Sequence, residues 1–94
     1  MGEGRRDGKA APERLMQLGR AMNAVKHPDA IVDMPNDRPP QRVYAKRFKP
    51  DRNGHHSGII VYVDMDTSNV RGFIYFNGTA HRVNKYMNRK TTPR

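Results

Sequence analysis

The sequence has 94 residues, a formal net charge of +9 at pH 7 and no cysteine. A chain of this length forms about one small domain, and without cysteine it has neither disulfides nor thiolate metal ligands. No apolar run approaches the roughly 20 residues of a membrane span, and the basic N-terminus lacks the apolar stretch of a secretory signal. We therefore expect a soluble, cytoplasmic protein with no membrane partner.

The N-terminal third predicts a disordered segment followed by one helix. Residues 1–10 are Gly-rich and charged, without apolar periodicity, and are expected to be disordered. Pro12 and Glu13 suit the first turn of a helix, and His27-Pro28 ends it, so the helix is predicted over about 12–27. Three- and four-residue spacing gives this helix an apolar stripe for the core. The stripe consists of Leu15, Leu18, Met22 and Val25.

After the helix the apolar period changes from 3.6 to 2, which indicates strands. Residues 30–32 predict a short edge strand, and the Pro-rich segment 35–41 an extended linker. Asn77-Gly78 is the strongest hairpin signal in the chain, and the basic tail 88–94 is expected to be flexible. The remaining strands are predicted over about 42–49, 58–65, 70–76 and 79–86.

These elements predict an α+β fold, with one domain over residues 11–87. One N-terminal amphipathic helix packs on a three- to four-stranded antiparallel β-meander, because only the sheet offers the helix an apolar partner. A two-residue turn at Asn77-Gly78 and a four-residue loop at 66–69 place Val61 opposite Ile74. In that register the face for the helix carries Ile59, Val61, Val63, Met65, Val70, Ile74, Phe76 and Val83.

The opposite face of this predicted sheet combines aromatic rings with arginines. Such a face is typical of single-strand nucleic-acid binding, in which rings stack on bases and arginines hold phosphates. Alternatively, the rings form cross-strand pairs beneath the linker or a second subunit. The predicted face carries Ile60, Tyr62, Asp64, Arg71, Phe73, Tyr75, Ala80, Arg82, Asn84 and Tyr86.

The segment Arg71-Gly72-Phe73-Ile74-Tyr75-Phe76 resembles the aromatic ribonucleoprotein motif of RNA-recognition and cold-shock domains. The resemblance implies that Phe73 and Tyr75 stack on bases. It covers six residues and departs from the motif at Ile74, where the motif has a small residue. Since the strand–helix order of an RNA-recognition domain is missing, we interpret it as convergent chemistry.

The positive charge is concentrated in the second half of the chain. Residues 42–94 contain eleven Lys or Arg and three Asp, whereas residues 1–41 contain seven Lys or Arg and six Asp or Glu. This asymmetry indicates attraction to a polyanion, although charge also keeps proteins soluble. A basic strand and loop near residues 42–52 suits phosphate contacts, or protects a sheet edge. The predicted nucleic-acid-binding residues are Arg42, Tyr44, Lys46, Arg47, Phe48, Lys49, Arg52, Tyr62, Arg71, Phe73, Tyr75, Arg82, Lys85, Tyr86, Arg89 and Lys90.

Catalysis and metal binding have little support in the residues. His55-His56 is interpreted as a pair of exposed loop histidines, and His81 as a histidine at the edge of the core. Asp64 and Asp66 resemble a magnesium pair, but strand alternation separates them and Arg71 is the expected partner of Asp64. We therefore predict a protein that is not an enzyme and has no cofactor.

The leading hypothesis is a nucleic-acid-binding protein, with single strands favoured because no basic recognition helix is predicted. The alternative is a regulatory or phage-type adaptor or inhibitor that docks on an acidic host protein through the sheet. The exposed edge of the meander would also allow a homodimer.

Overall fold

The computed structural model describes residues 15–93, which form two helices and four strands. The elements are α1 (15–26), β1 (Ala30–Met34), β2 (Gln41–Phe48), β3 (His56–Asp64), β4 (Val70–Gly78) and α2 (Ala80–Thr91). The strands form one open antiparallel sheet in the order β1-β2-β3-β4. The predicted α+β class is confirmed, with a second helix in addition. The predicted disordered segment 1–10 and the start of the helix at 12 lie outside the described residues.

The central strand β3 explains why the sheet has helices on both faces. Residues 58–61 of this strand are all buried, which requires apolar cover above and below. On one face Ile59, Val61 and Val63 pack against Ala21 and Ala24 of α1. On the other face Ile60 packs with Val43, Ala45 and Met34, and Met87 of α2 lies against this second cluster. The result is three layers, with one helix on each side of the sheet.

The predicted strand over 79–86 is wrong, because this segment belongs to α2. The hydroxyl of Thr79 accepts a hydrogen bond from the Arg82 N–H at 3.2 Å and caps the helix. Asn77-Gly78 ends β4 instead of forming a hairpin turn, with Gly78 at a φ of 154°. Much of the predicted flexible tail is also helical, since α2 continues to Thr91. Three- and four-residue spacing of Val83, Tyr86 and Met87 supports this helix.

The predicted register between β3 and β4 is wrong by one residue. Ile60, not Val61, lies opposite Ile74, and Val61 lies opposite Phe73. The loop between these strands is longer than predicted, and a bulge between Tyr62 and Val63 shifts the pairing again. A shift of one residue moves side chains to the other face. Phe73 and Tyr75 therefore lie on the α1 face.

The orientation of α1 also differs from the prediction. The helix packs on the expected Ile59, Val61 and Val63, but it does so through Ala21 and Ala24. The larger apolar residues Leu15, Leu18 and Met22 are exposed, although Val25 is partly buried against the core. Small residues let the helix approach the sheet closely, because Tyr44, Phe48, Phe73 and Tyr75 already fill the space beside it.

Candidate nucleic-acid interface

A concentration of positive charge lies on α2. The helix contains Arg82, Lys85, Arg89 and Lys90 and no acidic residue. Arg82, Lys85 and Arg89 are exposed, and their spacing of three and four residues places them on one side of the helix. The apolar side of the same helix, with Val83 buried, fixes the helix to the sheet. The amphipathic pattern therefore presents a cationic stripe to solvent.

This stripe borders a groove between α2 and β4. The groove has a volume of about 410 Å³ and is lined by Phe76, Asn77, His81, Arg82, Val83, Lys85, Tyr86 and Arg89. The Phe76 and Tyr86 rings form its aromatic part, with centroids 4.6 Å apart and planes inclined by 46°. Its lining thus combines cations with aromatic surface, as nucleic-acid sites do.

Cations from the C-terminal end of α2 stand over the Tyr86 ring. The Arg89 guanidinium carbon lies 5.7 Å and the Lys90 Nζ 5.5 Å from its centroid. These cation–π contacts hold both long side chains beside the groove. Within residues 15–93, ion pairs join only Arg42 to Asp33 and His55 to Asp51. The cations of α2 therefore have no carboxylate partner in this part of the chain.

The predicted aromatic and arginine face of the sheet is not assembled as expected. Phe73 and Tyr75 are half-buried against the α1 core cluster, and so are Tyr44 and Phe48. Arg20 of α1 lies over Tyr75 at 4.9 Å and over Phe48 at 5.9 Å. Because α1 covers these rings, they do not form an open stacking platform. Phe76, which was predicted on the face beneath the N-terminal helix, packs instead against the second core cluster on the α2 side and also lines the groove.

Tyr62 lies on the opposite face from Phe73 and Tyr75 and packs against the second core cluster. It borders a cleft near Arg89 and Lys90 at the end of α2. Arg71 is exposed at the bulged start of β4, without the expected Asp64 ion pair in the described residues. The four aromatic residues of the predicted face are thus divided between the two sides of the sheet.

The basic residues of β2 and the following loop are also divided. Arg42 is bound to Asp33 at 2.6 Å, and the Lys46 ammonium donates to the His27 carbonyl at 2.7 Å. These two cations therefore fasten β1 and α1 to β2. Arg47 and Lys49 line a cleft that also borders α2, whereas Arg52 is exposed in the loop. Only part of this predicted cluster is brought towards α2.

Two aspartates have altered acidity because of local hydrogen bonds. The side-chain bond from Arg42 holds the pKa of Asp33 below its ordinary value, and the Asp33 carboxylate raises the pKa of Arg42. The backbone N–H groups of His55 and Asn53 hold the pKa of Asp51 low. Both aspartates serve local structure, since they tie β1 to β2 and order the β2–β3 loop.

Asp64 has a structural role in the β3–β4 loop. Its Oδ1 accepts hydrogen bonds from the N–H groups of Asp66 and Thr67, at 2.8 and 3.1 Å. This is the usual way in which an aspartate stabilises a turn. Across residues 15–93, no three His, Asp or Glu side chains come together as metal ligands would. This turn explains why Asp64 and Asp66 occur close together, because the Asp64 side chain accepts from the Asp66 N–H.

The groove includes four residues outside the predicted set: Phe76, Asn77, His81 and Val83. The sequence signal that could have predicted the helix beside this groove is the cap at Thr79, followed by the helical spacing of Val83, Tyr86 and Met87. Arg82, Lys85, Tyr86, Arg89 and Lys90 were predicted, but as parts of a strand and a tail. The helix brings all five together.

No helix within the described residues is long and apolar enough to cross a membrane. No protein-family model, curated protein or solved structure matches this chain.

Proposed function

We propose that this protein binds nucleic acid through the groove between β4 and α2, without catalysing a reaction. The cations of the stripe, Arg82, Lys85 and Arg89, contact backbone phosphates, and the aromatic part of the groove lies beside them. One observation carries this function: three exposed cations follow one side of a helix that contains no acidic residue. Fixed cations of this kind attract a polyanion and release its counterions. The absence of cysteine is consistent with a cytoplasmic setting.

The two sequence-based reasons for preferring single strands do not hold in this structure. They were the absence of a basic helix and an open platform formed by Phe73 and Tyr75. The structure contains a basic helix, and α1 covers those rings. The proposed ligand is therefore nucleic acid recognised through its backbone, and both single-stranded and duplex forms belong in the test.

Binding should be measured by fluorescence anisotropy, with single-stranded and duplex oligonucleotides over a series of salt concentrations. The double variant Arg82→Gln/Arg89→Gln removes two cations of the stripe. It should lower the slope of log affinity against log salt by about 2, since each phosphate contact contributes about 1. Affinity should fall equally for unrelated base sequences, because phosphates carry no sequence information.

The matched control is Lys26→Gln/Arg38→Gln, which removes the same charge from two other exposed sites. This control should retain most of the affinity and the original salt slope. If both double variants weaken binding equally, net charge alone explains it and the groove has no role. If the unaltered protein shows no salt-dependent binding to either form, the function is wrong.

An adaptor that docks on an acidic protein would use the same cations. The discriminating probe is poly-glutamate, matched in charge to the oligonucleotide. Both polyanions form bidentate contacts with arginine, but nucleic acid should compete far better than poly-glutamate because its bases also meet the aromatic rings. Equal competition favours the adaptor.

A further inference from the structure

Strand β4 is an edge strand whose outer side is open within the described residues. It has nine residues, Val70–Gly78, and no strand of residues 15–93 pairs with its outer edge. Arg71 is its only charged residue. Long, apolar edge strands are templates for pairing with another chain, and proteins usually protect them with charges or proline. The other edge strand, β1, is shorter and carries an aspartate.

A second unpartnered feature is the apolar side of α1. Leu15, Leu18 and Met22 are exposed at the three- and four-residue spacing of a helix-pairing seam. Val25 continues this spacing at the C-terminal end of the helix. The stripe formed by these four residues is called the α1 seam. Solvated polar residues would be expected at such positions in a helix that had no further partner.

The two features are adjacent. Val25 of the α1 seam and Val70 of β4 line the same small cavity, and Val70 is itself exposed. Phe73 and Tyr75 of β4 pack against the core beneath α1. The open edge and the C-terminal end of the α1 seam therefore meet at this cavity, and a partner that pairs with β4 also reaches the helix there.

We propose that this surface binds a second copy of the chain, through antiparallel pairing of the two β4 strands and contact between the two α1 seams. An antiparallel pair is two-fold symmetric, so one surface serves both copies. The charges permit it: Arg71 lies near one end of β4, so the two arginines lie at opposite ends of the shared ladder. The ladder between the two copies thus brings no like charges together.

The size of this surface indicates a weak dimer. Nine strand residues extend about 30 Å, and the strand with the helix above it has a height of about 15 Å. The buried area is therefore on the order of 450 Å² per copy, or about 900 Å² for the two copies together. Specific interfaces bury roughly 1,200 Å² or more in total, and smaller ones are transient. A reversible dimer with a micromolar dissociation constant is therefore expected.

Pairing through β4 has a consequence for the basic groove. Two-fold pairing at a sheet edge keeps corresponding faces on the same side, so both α2 helices lie on one side of the eight-stranded sheet. Each groove is bordered by Phe76 and Asn77 of β4. The dimer would thus place the two cationic grooves beside the junction between the two β4 strands. The dimer itself does not depend on nucleic-acid binding and is tested without nucleic acid.

The test is sedimentation velocity of the full chain from about 1 to about 500 µM, the range for a small interface. Two matched pairs of variants separate this surface from general exposure. Met22→Glu changes the α1 seam, and Met16→Glu changes a methionine outside the seam; these methionines are 55% and 58% exposed. Val70→Glu changes β4, and Ile31→Glu changes β1; these residues are 55% and 54% exposed.

Wild type should change from monomer to dimer within this range. Met22→Glu and Val70→Glu should each raise the dissociation constant at least about tenfold, because each puts a charge without a partner into an apolar interface. Met16→Glu and Ile31→Glu should dimerise as wild type does. Glutamate lowers the net positive charge, so a loss of dimer cannot come from general repulsion. Circular dichroism should show all four variants folded.

Three outcomes overturn this inference. In the first, wild type remains monomeric throughout this concentration range. In the second, Ile31→Glu weakens association as much as Val70→Glu, which indicates open β1-to-β4 pairing. In the third, both methionine variants behave alike, and α1 then has no part in the dimer.

Discussion

Gly58 lies where β3 passes beneath the aromatic part of the groove, and replacing it with alanine should disturb both. Its partner across the ladder is Phe76. A Cβ at Gly58 would lie 2.9 Å from Phe76 Cζ and 3.2 Å from the Lys46 carbonyl oxygen. The Phe76 ring would have to move, and its centroid is 4.6 Å from that of Tyr86 on α2. Gly58→Ala should therefore loosen the contact between β4 and α2.

The expected loss of unfolding free energy is about 1–2 kcal/mol. Overpacking a buried site typically costs about 1–3 kcal/mol. Alanine recovers about 0.5–1 kcal/mol, because glycine loses more conformational entropy on folding. For a domain of this size the net loss lowers the Tm by about 4–16 °C. Urea unfolding followed by circular dichroism measures the free energy, and calorimetry measures the Tm.

Gly72→Ala is the matched control, since its Cβ would meet no atom within 4 Å. It should leave stability unchanged or raise it by about 0.5–1 kcal/mol. Combining Gly58→Ala with Phe76→Leu should recover part of the loss, because the smaller side chain gives way to the new methyl group. The reasoning is refuted if Gly58→Ala is as stable as wild type, or if both alanine variants lose stability equally.

Three further predictions concern α2 and the β2–β3 loop. Val83 is 2% exposed, so Val83→Ala should lower the free energy of unfolding by about 1–3 kcal/mol in urea titrations. Thr79→Ala removes the helix cap and should cost about 1 kcal/mol in the same assay, with faster amide exchange at Arg82. The lowered pKa of Asp51 means that its stabilising effect is complete above the ordinary value of 3.8 and disappears as the pH falls through the lower folded-state pKa. Asp51→Asn should remove this acid-dependent change at the His55 amide, as followed by NMR; an unaltered acid profile would contradict the assignment.

The elements that could be predicted from sequence are those that local pattern determines. The β-branched run near residues 58–63 has no helical period and is the buried strand β3. Residues 30–32 were predicted as an edge strand and lie in β1, and the proline-rich segment after them separates β1 from β2. The charge of the second half of the chain was also apparent, and it includes the cations of α2.

Other features depend on contacts that the sequence does not display. Asn77-Gly78 favours a hairpin locally, but the apolar face formed by Val43, Ala45 and Ile60 needs cover, and a helix over 80–91 supplies it. The register of β4 depends on a bulge at Arg71, and a bulge leaves no trace in an alternating pattern.

The sequence by itself determined that this is a small, basic α+β domain, because composition and periodicity act through neighbouring residues. Only the tertiary structure decided which side of the sheet the rings occupy, which side of α1 is buried and where the cations gather. Those choices come from packing between segments distant in the chain, where a shift of one residue exchanges the two faces of a strand.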